Sequence, residues 1–220
     1  MGILARKLLV ADDAAAAKVL TYQNTIASFT GSNPYTATIT YGGAETSDRV
    51  VHVSFMARAS TTGRTLSSAT IGGISATINV QITDATTNYI CGIISAVVPT
   101  GTSGDVVLTF SHTSIDRIRG GFYTSTGLSS ATAHASTSDD TDGNVSLTLN
   151  TTTDGFLIVI ATNNNNSTGQ YSSWSNATED FEVGGSGMCA GASNTATSGS
   201  STNVTATAGG SPRAAAAASF

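Results

Sequence analysis

The chain has 220 residues and a formal net charge of −5, with 40% hydrophobic but only 10% charged residues, against about a quarter charged in an ordinary soluble domain. Its surface is therefore built from neutral Ser, Thr and Asn, in runs at 60–62, 151–153 and 163–166. Both lysines, Lys7 and Lys18, lie in the first twenty residues, so the body carries no stripe of clustered Lys and Arg and we expect neither nucleic acid nor a membrane surface as partner. No apolar run reaches the roughly 18 residues of a spanning helix.

At the start, Arg6 and Lys7 precede an apolar stretch in the manner of a signal peptide, but Asp12 and Asp13 end it too soon. Synthesis in a cytoplasm without export is the expectation, and the Asn-X-Ser/Thr sequons of an Asn-rich chain then carry no weight. Residues 3–20 read as a helix, with alanines at 14–17 and apolar Leu8, Leu9, Val19 and Leu20. Residues 1–29 are assigned to a helical arm that anchors the chain through Arg6, Lys7 and Lys18, and residues 30–220 to one β-sandwich domain.

From Pro34 onward β-branched residues alternate with polar ones between Gly, Asn, Asp and Ser punctuation. Strands are predicted at 36–41, 49–59, 65–71, 76–83, 89–98, 105–112, 115–124, 145–150 and 156–162, with weaker ones at 180–183, 188–197, 203–208 and 214–220. In the segment 51–55, Val51, Val53 and Phe55 are expected to face the core, and His52 and Ser54 to face out. Residues 156–160 are apolar throughout, which predicts a central strand covered on both sides. Strands without intervening helices give an all-β, antiparallel two-sheet sandwich, jelly-roll-like, in preference to a barrel. The Gly-Gly pairs at 42–43 and 72–73 read as turns, since no Gly-Lys-Ser/Thr or following helix makes a phosphate cradle.

Catalytic sets are hard to assemble from these residues. Ser111, His112 and Asp116 lie along one strand and turn, whereas a working triad draws its members from separate elements, and His134 sits in a polar connection. The acidic run with Asp139, Asp140 and Asp142 is a weak calcium candidate, an ordinary acidic turn being the default: Leu149 stands where an EF-hand needs its bidentate Glu. Glu179, Asp180 and Glu182 carry no sign of the cleft that paired glycosidase carboxylates need. Cys91 and Cys189 are read as two buried thiols, with a disulfide between them left open. No enzyme activity and no cofactor are expected. The lone tryptophan, Trp174, follows the Asn run; with Asn165, Asn166 and Tyr171 it forms a candidate glycan contact, an aromatic face flanked by amides, against the plainer reading of a partly buried core or edge residue.

The stretches Asp48-Arg-Val-Val-His-Val-Ser-Phe, Ala69-Thr-Ile-Gly-Gly-Ile-Ser-Ala-Thr, Val98-Pro-Thr-Gly-Thr-Ser-Gly-Asp-Val-Val-Leu-Thr-Phe-Ser and Arg119-Gly-Gly-Phe-Tyr lie within residues 48–123, a span of about a third of the chain, and resemble tailed-bacteriophage virion proteins. The resemblance implies a jelly-roll-like subunit of capsid, neck or tail, made in the host cytoplasm without a signal peptide, packed as a symmetric homo-oligomer with other virion proteins. It implies no fixed catalytic residues. The rival expectation is a carbohydrate-binding adhesin module that meets a host-surface glycan.

Overall fold

A computed structural model describes residues 17–28, 33–84, 88–113, 115–141, 143–164, 169–184, 187–210 and 212–220. Nine strands come first: β1 (Val19–Ser28), β2 (Tyr35–Thr40), β3 (Val50–Ala59), β4 (Leu66–Ile71), β5 (Ile74–Ser75), β6 (Thr77–Thr83), β7 (Tyr89–Val97), β8 (Ser103–Phe110) and β9 (Ile115–Thr126). Eight follow: β10 (Ala135–Asp139), β11 (Val145–Asn150), β12 (Leu157–Asn163), β13 (Tyr171–Ser175), β14 (Thr178–Val183), β15 (Met188–Asn194), β16 (Ser201–Ala208) and β17 (Pro212–Ser219). No helix occurs among the described residues.

The strands make four antiparallel sheets: an outer sheet β2-β8-β4-β5, an inner sheet β1-β9-β3-β7-β6, a second inner sheet β10-β17-β12-β15-β14 and a second outer sheet β11-β16-β13. Three apolar layers lie between them. Val51, Val53 and Phe55 of β3 meet Val106 and Leu108 of β8 in the first. Met56, Cys91 and Ile93 meet Ile158, Ile160 and the alanines of β17 in the second. Leu157 and Val159 meet Leu147 and Val204 in the third. Sheets with one apolar face pair into a sandwich; here each inner sheet is apolar on both faces, and two sandwiches stack back to back.

The second sandwich repeats the first. Substituting β10 for β1, β11 for β2, β12 for β3, β13 for β4, β14 for β6, β15 for β7, β16 for β8 and β17 for β9 converts each sheet order of the first half into that of the second, β5 alone lacking a counterpart. Asn79 ties the halves together at the connection: its amide donates to Ala131 O (3.2 Å) and to Ser95 Oγ (2.9 Å), while its carbonyl accepts from Ala133 N–H (2.7 Å).

Three expectations are corrected by this arrangement. Val19 and Leu20, read as the end of a helix, begin β1, because the run from Val19 to Ser28, with its β-branched and aromatic residues, finds an antiparallel partner in β9; Arg6, Lys7 and the rest of the expected helix before residue 17 lie outside the described residues. His52 and Ser54, expected to face solvent, are fully buried, because the second sandwich covers the face they occupy. The single two-sheet body is four sheets deep. The uniformly apolar run at 156–160 does belong to a central strand, with β12 buried along its length between β15 and β17. The pairs Gly42–Gly43 and Gly72–Gly73 turn with φ between +60° and +78°, which a side chain would resist.

Small residues set how closely the inner sheets approach. Ala214, Ala216 and Ala218 of β17 face the first sandwich, and Ala215 and Ala217 face the second outer sheet. Ala216→Leu, at a fully buried position, is expected to overpack this layer and cost about 1–3 kcal/mol, read as a lower urea midpoint; an unchanged midpoint would mean the layer has room.

Candidate functional site

The Trp174 region is built on β13, β14 and β15. Strand β13 is short and kinked: its register on β16 shifts between Ser172 and Ser175, and Ser173 (φ 53°) and Asn176 (φ 59°) adopt left-handed conformations. The kink leaves Tyr171 buried and Trp174 half-buried over the third apolar layer, with ring centroids 6.0 Å apart. Trp174 Nε1–H donates to Glu179 Oε2 at 2.9 Å. Burial raises the Glu179 carboxyl pKa, against the indole hydrogen bond, which lowers it.

Next to Glu179, a groove of about 440 Å³ is lined by Asn176, Thr178, Asp180, Ser193 and Asn194, among others. Much of its amide hydrogen bonding is already used internally. Asn176 Nδ2 donates to Asn203 O (2.8 Å), Asn194 Nδ2 to Asn176 O (3.0 Å), and Asn194 Oδ1 accepts from Ala196 N–H (2.9 Å). Asp180 accepts from the Tyr123 hydroxyl at 3.0 Å; burial raises its pKa, while the hydrogen bonds from Ser193 and Tyr123 lower it. Tyr22 stacks on Phe181 and meets Tyr123 edge-on, and burial, then the Asp180 charge, push its hydroxyl up to about 12.

Asn165 and Asn166 lie outside the described residues. Their neighbour Asn164 accepts from the Tyr89 hydroxyl at 3.1 Å, in a separate depression that also holds Arg58 and Asp116. The structure thus brings Tyr171 and Trp174 together and places the start of the Asn run by Tyr89.

No family model matches the chain, and no curated protein matches it. Among solved structures it is similar to dimeric latent PorU from Porphyromonas gingivalis, over 90% of this chain and 21% of that one, at 11% identity and a TM-score of 0.31. A likeness at that level carries no argument.

The other sequence candidates divide plainly. Asp116 is held by Arg58, whose Nε lies 3.0 Å from Oδ1 and whose Nη2 bonds Oδ2, while Ser111 and His112 are exposed. His134 is exposed. Asp139 caps its own turn, accepting from Thr141 N–H (3.0 Å) and Oγ1–H (2.8 Å); Asp140 is exposed and Asp142 lies outside the described residues. Among the described residues no group of three His, Cys, Asp or Glu stands together as metal ligands would. Cys91 and Cys189 occupy equivalent strands, face the same layer and are unbonded; burial pushes both thiols up, Cys189 to about 12, which removes thiolate reactivity. Lys18 donates to Thr152 Oγ1 at 2.9 Å, spanning the two sandwiches of one chain.

Two residues weighed in the sequence take roles that it did not assign to them. Glu182 accepts backbone N–H groups from Gly169, Gln170 (2.9 Å) and Tyr171 (3.0 Å), fixing the approach to β13. His52 lies between the inner sheets, with Nδ1 2.7 Å from Ser95 Oγ and Nε2 2.7 Å from Ser125 Oγ, so one ring nitrogen donates and the other accepts. Phe220 and Phe156 stand edge-on to it.

Burial lowers the His52 pKa from 6.5 to about 3. The folded protein excludes a proton that the unfolded chain accepts, so the contribution is complete above pH 6.5 and is lost as pH falls toward 3, at roughly 1.4 kcal/mol per unit. Unfolding measured between pH 7 and 4 is expected to show this slope, and His52→Gln to flatten it; equal slopes in both proteins would contradict the buried, neutral ring.

Proposed function

We propose that the chain is a non-catalytic structural subunit of a tailed-phage virion, made in the host cytoplasm and working through contact surfaces in a symmetric assembly on capsid, neck or tail. The observation that carries this reading is the doubled sandwich. Two bodies of one strand order are fused through a sealed apolar layer, and their hydroxyl- and amide-rich exteriors bring no nucleophile, base and orienting group together among the described residues.

The finer fold assignment belongs with this proposal. Strands in the order β1-β9-β3-β7 facing β2-β8-β4-β5 are what two Greek keys wound into an eight-stranded jelly roll would produce, and the second sandwich follows the same order without the fourth outer strand. Jelly rolls serve capsids and lectins alike, so the fold supports a contact role by analogy, and the phage-like stretches at 48–55, 69–77, 98–111 and 119–123 direct it toward virions. A mass-spectrometric inventory of purified particles is expected to find the chain at a fixed copy number, high for shell decoration and a small symmetric multiple for neck or tail. Its absence from particles would refute the virion role.

A second reading, a module that binds host-surface carbohydrate, is favoured by one local arrangement: an indole held by Glu179 next to a polar groove. An aromatic face with amide and carboxylate neighbours suits a sugar ring. On a glycan array the intact protein is expected to retain at least one glycan, and Trp174→Ala to lose roughly tenfold or more in affinity, about 1.4 kcal/mol. No glycan retained by the intact protein ends this reading.

A further inference from the structure

Sheets that stop in mid-air expose backbone N–H and C=O groups, and proteins guard such edges with charge, bulges, short strands or cover. Most edges of this molecule are guarded. Strand β14 carries Glu179, Asp180 and Glu182, and β10 ends on Asp139 with Asp140 beyond it. Strand β5 has two residues and β13 is kinked. The edge strand β6 is strapped down: Gln81 bonds both N–H and C=O of Leu66, and Thr83 Oγ1–H donates to Arg64 O.

The outer sheets end on β2 and β11, which are uncharged as well but only six residues long; strand β1 is the long unguarded edge. It is ten residues long, Val-Leu-Thr-Tyr-Gln-Asn-Thr-Ile-Ala-Ser, without charge, Pro or Gly, and Val19, at 52% exposure, is the most exposed large hydrophobic described. Its only irregularity is a register shift between Tyr22 and Asn24. Among the described residues it pairs with β9 on one side and with no strand on the other. Beside it, toward β2, opens an uncharged groove of about 410 Å³ with Ile26, Tyr35, Ile39 and Phe122 in its wall.

We propose that β1 is a self-association edge, pairing antiparallel with β1 of a second copy so that two inner sheets run on as one. Electrostatics select this occupant. About a two-fold axis a strand meets itself, so a charge on β1 would face or neighbour its own kind across the ladder, which is destabilising; the strand has none. The copies are acidic overall, with a charge of −5 each, and the carboxylate-bearing edges β10 and β14 repel their own images. The β1 edge is the long one where two copies approach without that penalty, and side chains of the incoming strand have the groove toward β2 to enter. This inference does not depend on the virion reading: an isolated protein can pair through β1 whether or not particles contain it.

Sedimentation velocity of the intact chain tests the proposal. The parent is expected to show a concentration-dependent dimer. Thr21 and Ala27 are both exposed on β1, so T21K/A27K and T21E/A27E are expected to keep the parental circular dichroism and melting temperature while self-association weakens roughly tenfold or more. Mixing the two variants is expected to restore the dimer, because every charge pair across the ladder is then opposite in sign. Thr178→Lys on β14 serves as the control and should leave the parental dimer constant unchanged. A parent that stays monomeric up to about 100 μM, near the weak end of specific association, overturns the proposal, as does a dimer indifferent to charge on β1. Should a double variant fail to fold, the single substitutions at Thr21 and at Ala27 carry the same test.

Discussion

Everything in this molecule is arranged around how closely its two inner sheets approach. The ring of Phe181 lies over Gly121 of the first inner sheet and Gly191 of the second: a Cβ on Gly121 would come within 2.2 Å of it, and one on Gly191 within 2.1 Å. With two glycines under one ring and Ala214, Ala216 and Ala218 of β17 turned into the layer, small residues stand against large ones such as Met56, Ile93, Ile158 and Ile160. Dispersion and burial act over the whole face, and any polar group trapped there needs a partner. His52 has two, Ser95 and Ser125, and Asn79 extends the chain of hydrogen bonds from Ser95 out to the connection between the sandwiches. The same docking that buries the histidine also holds it neutral.

The strands of the first half were legible because their β-branched residues alternate: β2, β3, β4, β6, β7 and β8 begin and end within a residue or two of their expected positions. What failed was the inference from alternation to exposure. A period of two says which residues share a face; it does not say that the other face meets water. His52 and Ser54 look like solvent-side residues until a second sandwich closes over them. Strands β10 and β13 carry too few apolar residues to signal themselves, since Ala-Ser-Thr-Ser-Asp and Tyr-Ser-Ser-Trp-Ser read as loops. The duplication was hidden for a related reason: Val19–Thr126 is built on Val, Ile and Phe, whereas much of Ala135–Ser219 is built on Ala, Ser and Thr, so one topology is written in two compositions. Five alanines in a row were ambiguous between helix and strand by propensity, and the choice was made by tertiary packing that only small residues permit.

The candidate site was legible only at its centre. A lone tryptophan beside a polar loop is visible in a sequence, and the half-buried indole over the third apolar layer fits the plainer reading at least as well as the sharper one. Its partner Glu179 had no signal, because a hydrogen bond between residues 174 and 179 depends on the kink at Ser173 and the turn at Asn176, and φ angles above zero at non-glycine residues are not announced by residue type. Glu182 was hidden for the same reason: a carboxylate that accepts three consecutive backbone N–H groups resembles any surface acid until the chain folds back to it.

Duplication followed by back-to-back docking has a consequence for where function can reside. In a single sandwich each sheet has an outer face for partners; here the two inner sheets have spent both faces on packing. What remains to them is their edges, while the outer sheets keep Ser- and Thr-rich faces with little charge. The two halves have treated their edges differently. The second half carries Glu179, Asp180, Glu182 and Asp139 on β14 and β10, which keep other strands away, and the first carries a long neutral β1. An acidic protein that leaves one long edge without charge has concentrated its capacity for strand pairing in one place, so a change of charge at Thr21 or Ala27 acts on association while leaving the layers that hold the fold together untouched.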